Sequence, residues 1–112
     1  MTPAMAIAAL DALTPNSYEV SQKLAWLERV EAGLAAEVFF KTVNRPQMEE
    51  PLLAFEPYDE LYIRYMQAQI FLEAGEITRY NNAMALYNNA VAALRRERIR
   101  SHVTEQPSLK HF

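Results

Sequence analysis

Apolar residues recur every three or four positions along most of the chain, and this spacing predicts an all-α protein. No segment alternates apolar and polar residues over the length of a strand with turn residues at its ends. The pattern therefore predicts a small bundle of four helices, over residues 2–13, 16–41, 58–75 and 77–102.

Local signals set the ends of these helices. Thr2 is a suitable N-cap and is followed by Pro3, which favours the first helical position. Asn16 and Glu19 have the spacing of a capping box, and Gly75 is a good C-cap residue. Because so few residues separate Gly75 from the fourth helix, helices three and four are expected to form a long antiparallel hairpin.

Apolar stripes indicate how the helices pack. The stripe of the second helix consists of Val20, Leu24, Leu27, Val30, Leu34 and Val38. The third helix is apolar on two faces, which is typical of a central helix. The seam of the fourth helix consists of Ile77, Tyr80, Met84, Tyr87, Val91 and Leu94. A seam of this spacing packs along another helix, so Tyr80 and Tyr87 are expected to contact the third helix, with their hydroxyls reaching polar partners.

Residues 42–57 contain three prolines and show no helical period, so they predict a long loop between helices two and three. A loop of about sixteen residues is longer than usual in a compact domain, and it either moves or is held by a partner. No helical or strand spacing predicts internal burial of the three apolar residues in this loop, Leu52, Leu53 and Phe55. They are therefore predicted to anchor the loop against another subunit.

The charge along the chain is uneven. Residues 1–60 hold ten acidic and four basic side chains, whereas residues 61–112 hold four acidic and seven basic ones. Such asymmetry either suits helix dipoles or lets one face of a subunit meet the opposite face of the next. The apolar runs are too short to cross a membrane, and the apolar N-terminus lacks the basic residues of an export signal.

Neither the composition nor the motifs point to an enzyme. The chain has no cysteine, which excludes a disulfide, a thiolate zinc site and a thiol nucleophile. His102 and His111 are its only histidines, and no carboxylate stands at metal-ligand spacing from them. Glu28, Glu31 and Glu37 have the pattern of a solvated helix face. We therefore expect no catalytic residue, no cofactor and no bound metal.

A Tyr-Asn-Asn triplet occurs twice, seven residues apart, in the predicted fourth helix. Four asparagines cost a helix about 2 kcal/mol relative to alanine, if each costs about 0.5 kcal/mol. Their amides are either tolerated or bonded within the subunit, or they form hydrogen bonds to another subunit. The candidate interface residues are Asn81, Asn82, Asn88 and Asn89.

The end of the fourth helix is basic, and its four cations are Arg95, Arg96, Arg98 and Arg100. Cations suit the carbonyl end of a helix, but they also bind acidic protein surfaces and nucleic acid. Because the chain as a whole is acidic, a protein surface is the favoured partner. The polar tail that follows, residues 103–112, carries Leu109 and Phe112 as candidate apolar anchors.

Three motifs between residues 57 and 84 carry a resemblance to a known family. They are Pro-Tyr-Asp-Glu-Leu-Tyr at 57–62, Gly-Glu at 75–76, and Arg-Tyr-Asn-Asn at 79–82 followed by Met84. Together they resemble the head-tail connector, or adaptor, proteins of long-tailed bacteriophages, and the helices upstream are similar to the start of the same family. Residues 92–112 depart from the family pattern.

This resemblance implies a structural protein of the virion, located at the head-tail interface and made in the cytoplasm of a bacterial host. Such subunits form a ring, usually of twelve, below the portal protein, and extend the DNA channel towards the stopper and tail. DNA passes through without sequence-specific binding. Residues 1–102 would then form one connector domain, and the four arginines with Leu109 and Phe112 would dock on the portal.

Two other functions remain open on the sequence. The same motifs are compatible with a stopper or tail-completion protein of the same neck. In a different class, the basic helix fits a small helical regulator that binds DNA. A ring seen with the portal protein would favour the connector, and salt-sensitive binding of duplex DNA would favour the regulator.

Overall fold

The computed structural model describes residues 1–105, with side chains as far as Ser101, and all of the regular structure in this part is helical. Its α-helices are α1 (Pro3–Leu13), α2 (Val20–Leu34), α3 (Leu61–Glu73) and α4 (Ile77–Glu105). A π-helical turn, Ala35–Phe39, extends α2, and a 3-10 turn, Tyr58–Glu60, leads into α3. The prediction of an all-α fold is confirmed.

The first two helices begin in different ways. At α1, the Thr2 hydroxyl oxygen accepts a backbone N–H of the first turn at 3.2 Å, and Pro3 is the first helical residue, as predicted. The predicted start of α2 at Asn16 is wrong, because α2 begins at Val20 without a side-chain cap. The Asn16 side-chain oxygen instead accepts the N–H of Tyr18 at 3.1 Å, which closes a local turn that competes with capping.

The second helix also ends differently from the prediction, which extended it to about Lys41. Its α-helical part stops at Leu34, and the π-helical turn follows through Phe39. Phe40 then adopts a left-handed conformation with φ of 52°, and the N–H of Lys41 donates to the carbonyl of Ala35 at 3.0 Å. A residue other than glycine is strained in this conformation, so the end of α2 carries a local energetic cost.

The third helix is central, because it contacts each of the other three α-helices. Its buried side chains are Leu61, Tyr62, Ile63, Met66, Gln67 and Ala68. After α3, Gly75 has a φ of 75°, and its N–H donates to the carbonyl of Leu72 at 3.1 Å. The N–H of Glu76 donates to the carbonyl of Phe71 at 2.9 Å. These two hydrogen bonds form a Schellman turn, after which α4 begins.

The fourth helix packs on the core through part of its predicted seam. Leu94 is fully buried, and Tyr87 is half-buried with its ring centroid 5.3 Å from that of Tyr65 in α3. Tyr80 is also half-buried, whereas Ile77 is 54% exposed, so the first turn of α4 lies at the edge of the fold. Neither Tyr80 nor Tyr87 donates its hydroxyl to a partner among the side chains that are described, which end at Ser101. The helix also continues beyond its predicted end.

The loop between α2 and α3 packs against the N-terminal segment. The N–H of Leu52 donates to the carbonyl of Met1 at 2.9 Å, and the N–H of Ala4 donates to the carbonyl of Met48 at 3.0 Å. Leu52 is 7% exposed, and Leu53 packs on the same core. The expectation that the loop side chains have no internal burial is therefore wrong for both leucines, because Leu52 belongs to the core and Leu53 packs against it.

Candidate interaction surfaces

A buried carboxylate, that of Glu31, fixes the end of the loop to α2. It accepts the hydroxyl of Tyr62 and, at 2.9 Å, the N–H of Leu53. The Tyr62 hydroxyl oxygen in turn accepts the N–H of Ala54 at 2.8 Å. Glu31 is 5% exposed, so the prediction that it lies on a solvated face is wrong. This cluster holds the loop backbone immediately before Phe55.

Burial controls the ionisation of the Glu31 and Tyr62 pair. It raises the pKa of Glu31, and the two hydrogen bonds that the carboxylate accepts only partly oppose this effect. Burial also raises the pKa of Tyr62, and the nearby charge of Glu31 raises it further. The tyrosine therefore remains a hydrogen-bond donor at ordinary pH, and Glu31 is the group of the pair that titrates.

Glu31→Gln is expected to change how the stability of the protein depends on pH. Because the pKa of Glu31 is higher in the folded than in the unfolded chain, its contribution is fully present below the unfolded pKa and is lost as the pH rises through the folded pKa. The unfolding free energy of the wild type, minus that of the variant, should be constant in acid and fall as the pH rises above the ordinary pKa of a glutamate. Urea unfolding at several pH values measures this difference, and a constant value would contradict the prediction.

The four asparagines of the repeat lie on the outer face of α4, which is the side away from Leu94 and the core. All four side chains are exposed, and none forms a hydrogen bond to a described residue. Ala85 and Ala92 are exposed on the same face, one heptad apart. Between Arg79 and Arg95 the helix carries no charge, over about four turns. We call this surface, which consists of the four asparagines with Ala85 and Ala92, the amide face.

The arginines at the end of α4 have different surroundings. Arg95 forms an ion pair with Glu37 of the π-helical turn, at 3.6 Å between Nη2 and Oε2. Arg100 pairs with Glu97 of the preceding helical turn. Arg96 is exposed. The predicted basic cluster is therefore partly neutralised by glutamates of the same chain.

An apolar groove lies beside these arginines, between the π-helical turn and the end of α4. It has a volume of about 450 Å³ and is lined mainly by Glu37, Phe39, Phe40, Arg95, Arg98 and Ile99. Phe40 is 80% exposed and Ile99 is 58% exposed. The Arg98 guanidinium carbon lies 4.7 Å from the Phe39 ring centroid, and the Nε of Arg98 is buried without a hydrogen-bond partner. The sequence pattern missed this groove, because Phe40 follows a π-helical turn and leaves the helical period.

Phe55 is the exposed member of the three predicted loop anchors, at 41% exposure. Its ring meets the ring of Tyr58 edge-on, with centroids 5.8 Å apart. Glu56 and Glu60, which follow it in the chain, are both exposed. The loop therefore presents an aromatic ring beside two carboxylates.

Two predicted portal contacts, Leu109 and Phe112, lie outside the described residues, as do the side chains of both histidines. Within the described residues, no group of histidine and carboxylate side chains is placed to hold a metal ion. No helix in this part of the chain is both long and apolar enough to cross a membrane.

The chain has no match among protein-family models, curated proteins or solved structures. The surfaces that the fold places at the exterior are the amide face, the groove, and the ring of Phe55 with its neighbouring carboxylates.

Proposed function

We propose that this protein is a head-tail connector, or adaptor, of a long-tailed bacteriophage, and that its role is structural and not enzymatic. The amide face carries the proposal. Asn81 and Asn82 belong to the motifs that resemble the connector family, and all four asparagines are exposed and unbonded within the described residues. Amides that weaken a helix and form no hydrogen bond in the described part of the chain suit a surface that is covered on assembly.

In the proposed assembly, copies of the chain form a closed ring, of twelve subunits as the resemblance implies. A ring of this kind needs two different, complementary patches on each subunit. The amide face, the groove and the exposed end of the loop supply chemically different surfaces. The amide face is carried by α4, which packs against α3 in the proposed antiparallel hairpin.

The ring is proposed to lie in the virion neck, between the portal and a stopper or tail-side protein. The arginines of α4, together with Leu109 and Phe112, form the proposed portal contact. DNA passes through the channel without sequence-specific binding. The pairing of Arg95 and Arg100 with glutamates favours this function over that of a DNA-binding regulator, since it lowers the positive charge offered to phosphates.

Negative-stain electron microscopy of the purified chain tests the proposal, alone and with the portal protein encoded in the same genome. We expect rings, or added ring density below the portal. Analytical ultracentrifugation gives the subunit number in solution. Only single subunits in both conditions, or salt-sensitive binding of duplex DNA by a monomer or dimer, would reject the connector function.

A further inference from the structure

The groove beside the end of α4 is built at an energetic cost. Phe40 has a left-handed backbone conformation, with φ of 52°, and holds its ring 80% exposed to solvent. The backbone strain and the exposure of a large aromatic ring both destabilise the folded isolated chain. Such features concentrate at binding surfaces. Ile99 of α4, 58% exposed, faces the same groove.

The charges at this groove are mainly positive. Arg95 and Arg98 line it, and Arg96 is exposed next to them in sequence. Glu37 balances Arg95, but the buried Nε of Arg98 has no acceptor among the described residues. An apolar ligand with carboxylates beside it would fill the groove and match the unbalanced positive charge.

The loop before α3 carries a group of this chemistry. The ring of Phe55 is 41% exposed, and the exposed carboxylates of Glu56 and Glu60 follow it. Its backbone is held in place, because the N–H groups of Leu53 and Ala54 donate to Glu31 and Tyr62 at 2.9 and 2.8 Å. A rigid aromatic group loses little conformational entropy on binding. Phe55 does not line the groove of its own chain.

We propose that Phe55 of one copy binds in the groove of a second copy, against Phe40 and Ile99, with Glu56 facing the arginines. The proposal rests on the ring assembly proposed above and names one contact between its neighbouring subunits. The groove and the Phe55 end of the loop are different surfaces, as is required for a head-to-tail contact that repeats from copy to copy until a ring closes.

The decisive experiment uses two variants of the full chain, each with one half of the contact removed. Phe55→Ala keeps the groove, and Phe40→Gly keeps Phe55. Each variant alone is expected to self-associate about 30-fold more weakly than the wild type, which is the effect of losing an aromatic hot spot. Met5→Ala, which removes a 58% exposed side chain of α1, is the matched control and should associate normally.

Mixing the two variants tests whether Phe55 of one copy and the groove of another bind each other directly. The mixture retains one intact contact, between the groove of the Phe55→Ala chain and Phe55 of the Phe40→Gly chain. Native mass spectrometry with one isotope-labelled chain is expected to show a 1:1 dimer and no larger species. Phe40→Gly should also raise the melting temperature by several degrees, since glycine relieves the left-handed strain. A loss of association caused only by unfolding would lower that temperature.

The outcomes separate this contact from the proposed function. If the wild type forms rings and both variants form them equally well, the contact is wrong and the connector function stands. If the variants fail to associate but their mixture gives no dimer, the head-to-tail contact is also wrong. If the wild type forms no ring, with or without portal protein, the connector function fails and this contact fails with it.

Discussion

Leu94→Ala is expected to lower the free energy of unfolding by about 3–5 kcal/mol, the cost of a large-to-small change in a packed core. Leu94 is completely buried and lies where α4 meets the rest of the core. Leu86→Ala is the matched control, because it makes the same change on the same helix at a side chain that is 50% exposed. The control is expected to change stability by no more than about 0.5 kcal/mol.

Urea unfolding of the two leucine variants, followed by circular dichroism, measures both effects. The comparison tests the rotation of α4 about its own axis, since Leu94 and Leu86 lie on opposite sides of the core boundary. Similar losses of unfolding free energy in both variants would contradict this rotation of α4. The same rotation places the amide face outward, so this result also bears on the proposed assembly.

The helices and the start of α1 could be predicted because their signals are local. The cap at Thr2 and the proline after it act within one turn, and the glycine turn after α3 needs only its own backbone conformation. The start of α2 was not predictable in the same way. Asn16 has two possible hydrogen-bonding roles, and the local turn to Tyr18 is the one that forms.

The buried polar groups are the part of the core that could not be predicted from helical periodicity. Helical periodicity places charged residues on solvated faces, yet Glu31 is buried because Tyr62 and the loop backbone supply its donors. Lys23 is buried in a similar way and pairs with Asp11 at 2.9 Å. These partners are distant in sequence, and a periodic pattern contains no information about them.

The candidate surfaces could be predicted only in part. The repeat of asparagine pairs identified an outer face of α4, since an interval of seven residues places both pairs on one side of the helix, away from the apolar seam. The loop anchors were predicted as one group, but Leu52 is inside the fold and Phe55 is outside. The difference arises from the N-terminal segment, whose carbonyl at Met1 accepts the N–H of Leu52. The groove depends on the left-handed Phe40, which no sequence pattern signals.

Replacing all four asparagines of the repeat with alanine is expected to raise the free energy of unfolding of the isolated chain by about 2 kcal/mol. The amides form no hydrogen bond among the described residues, so the substitution removes no hydrogen bond seen in this part of the chain. Alanine also has the higher helix propensity. Urea unfolding at a concentration where the chain is monomeric measures the gain. Alanine at both Asn81 and Asn88, or at both Asn82 and Asn89, should give about half of this gain in unfolding free energy, because the sites are independent.

The same fourfold variant is expected to assemble less well than the wild type, with a lower fraction of rings in electron micrographs and a lower mass in ultracentrifugation. Alanine preserves the helix and its uncharged surface, so a loss of assembly would come from the missing amide hydrogen bonds. A gain in stability together with a loss of assembly is expected for residues that bind a partner subunit and destabilise the isolated chain. A fall in stability would mean that the amides are bonded inside the chain, and unchanged assembly would remove the amide face from the subunit interface.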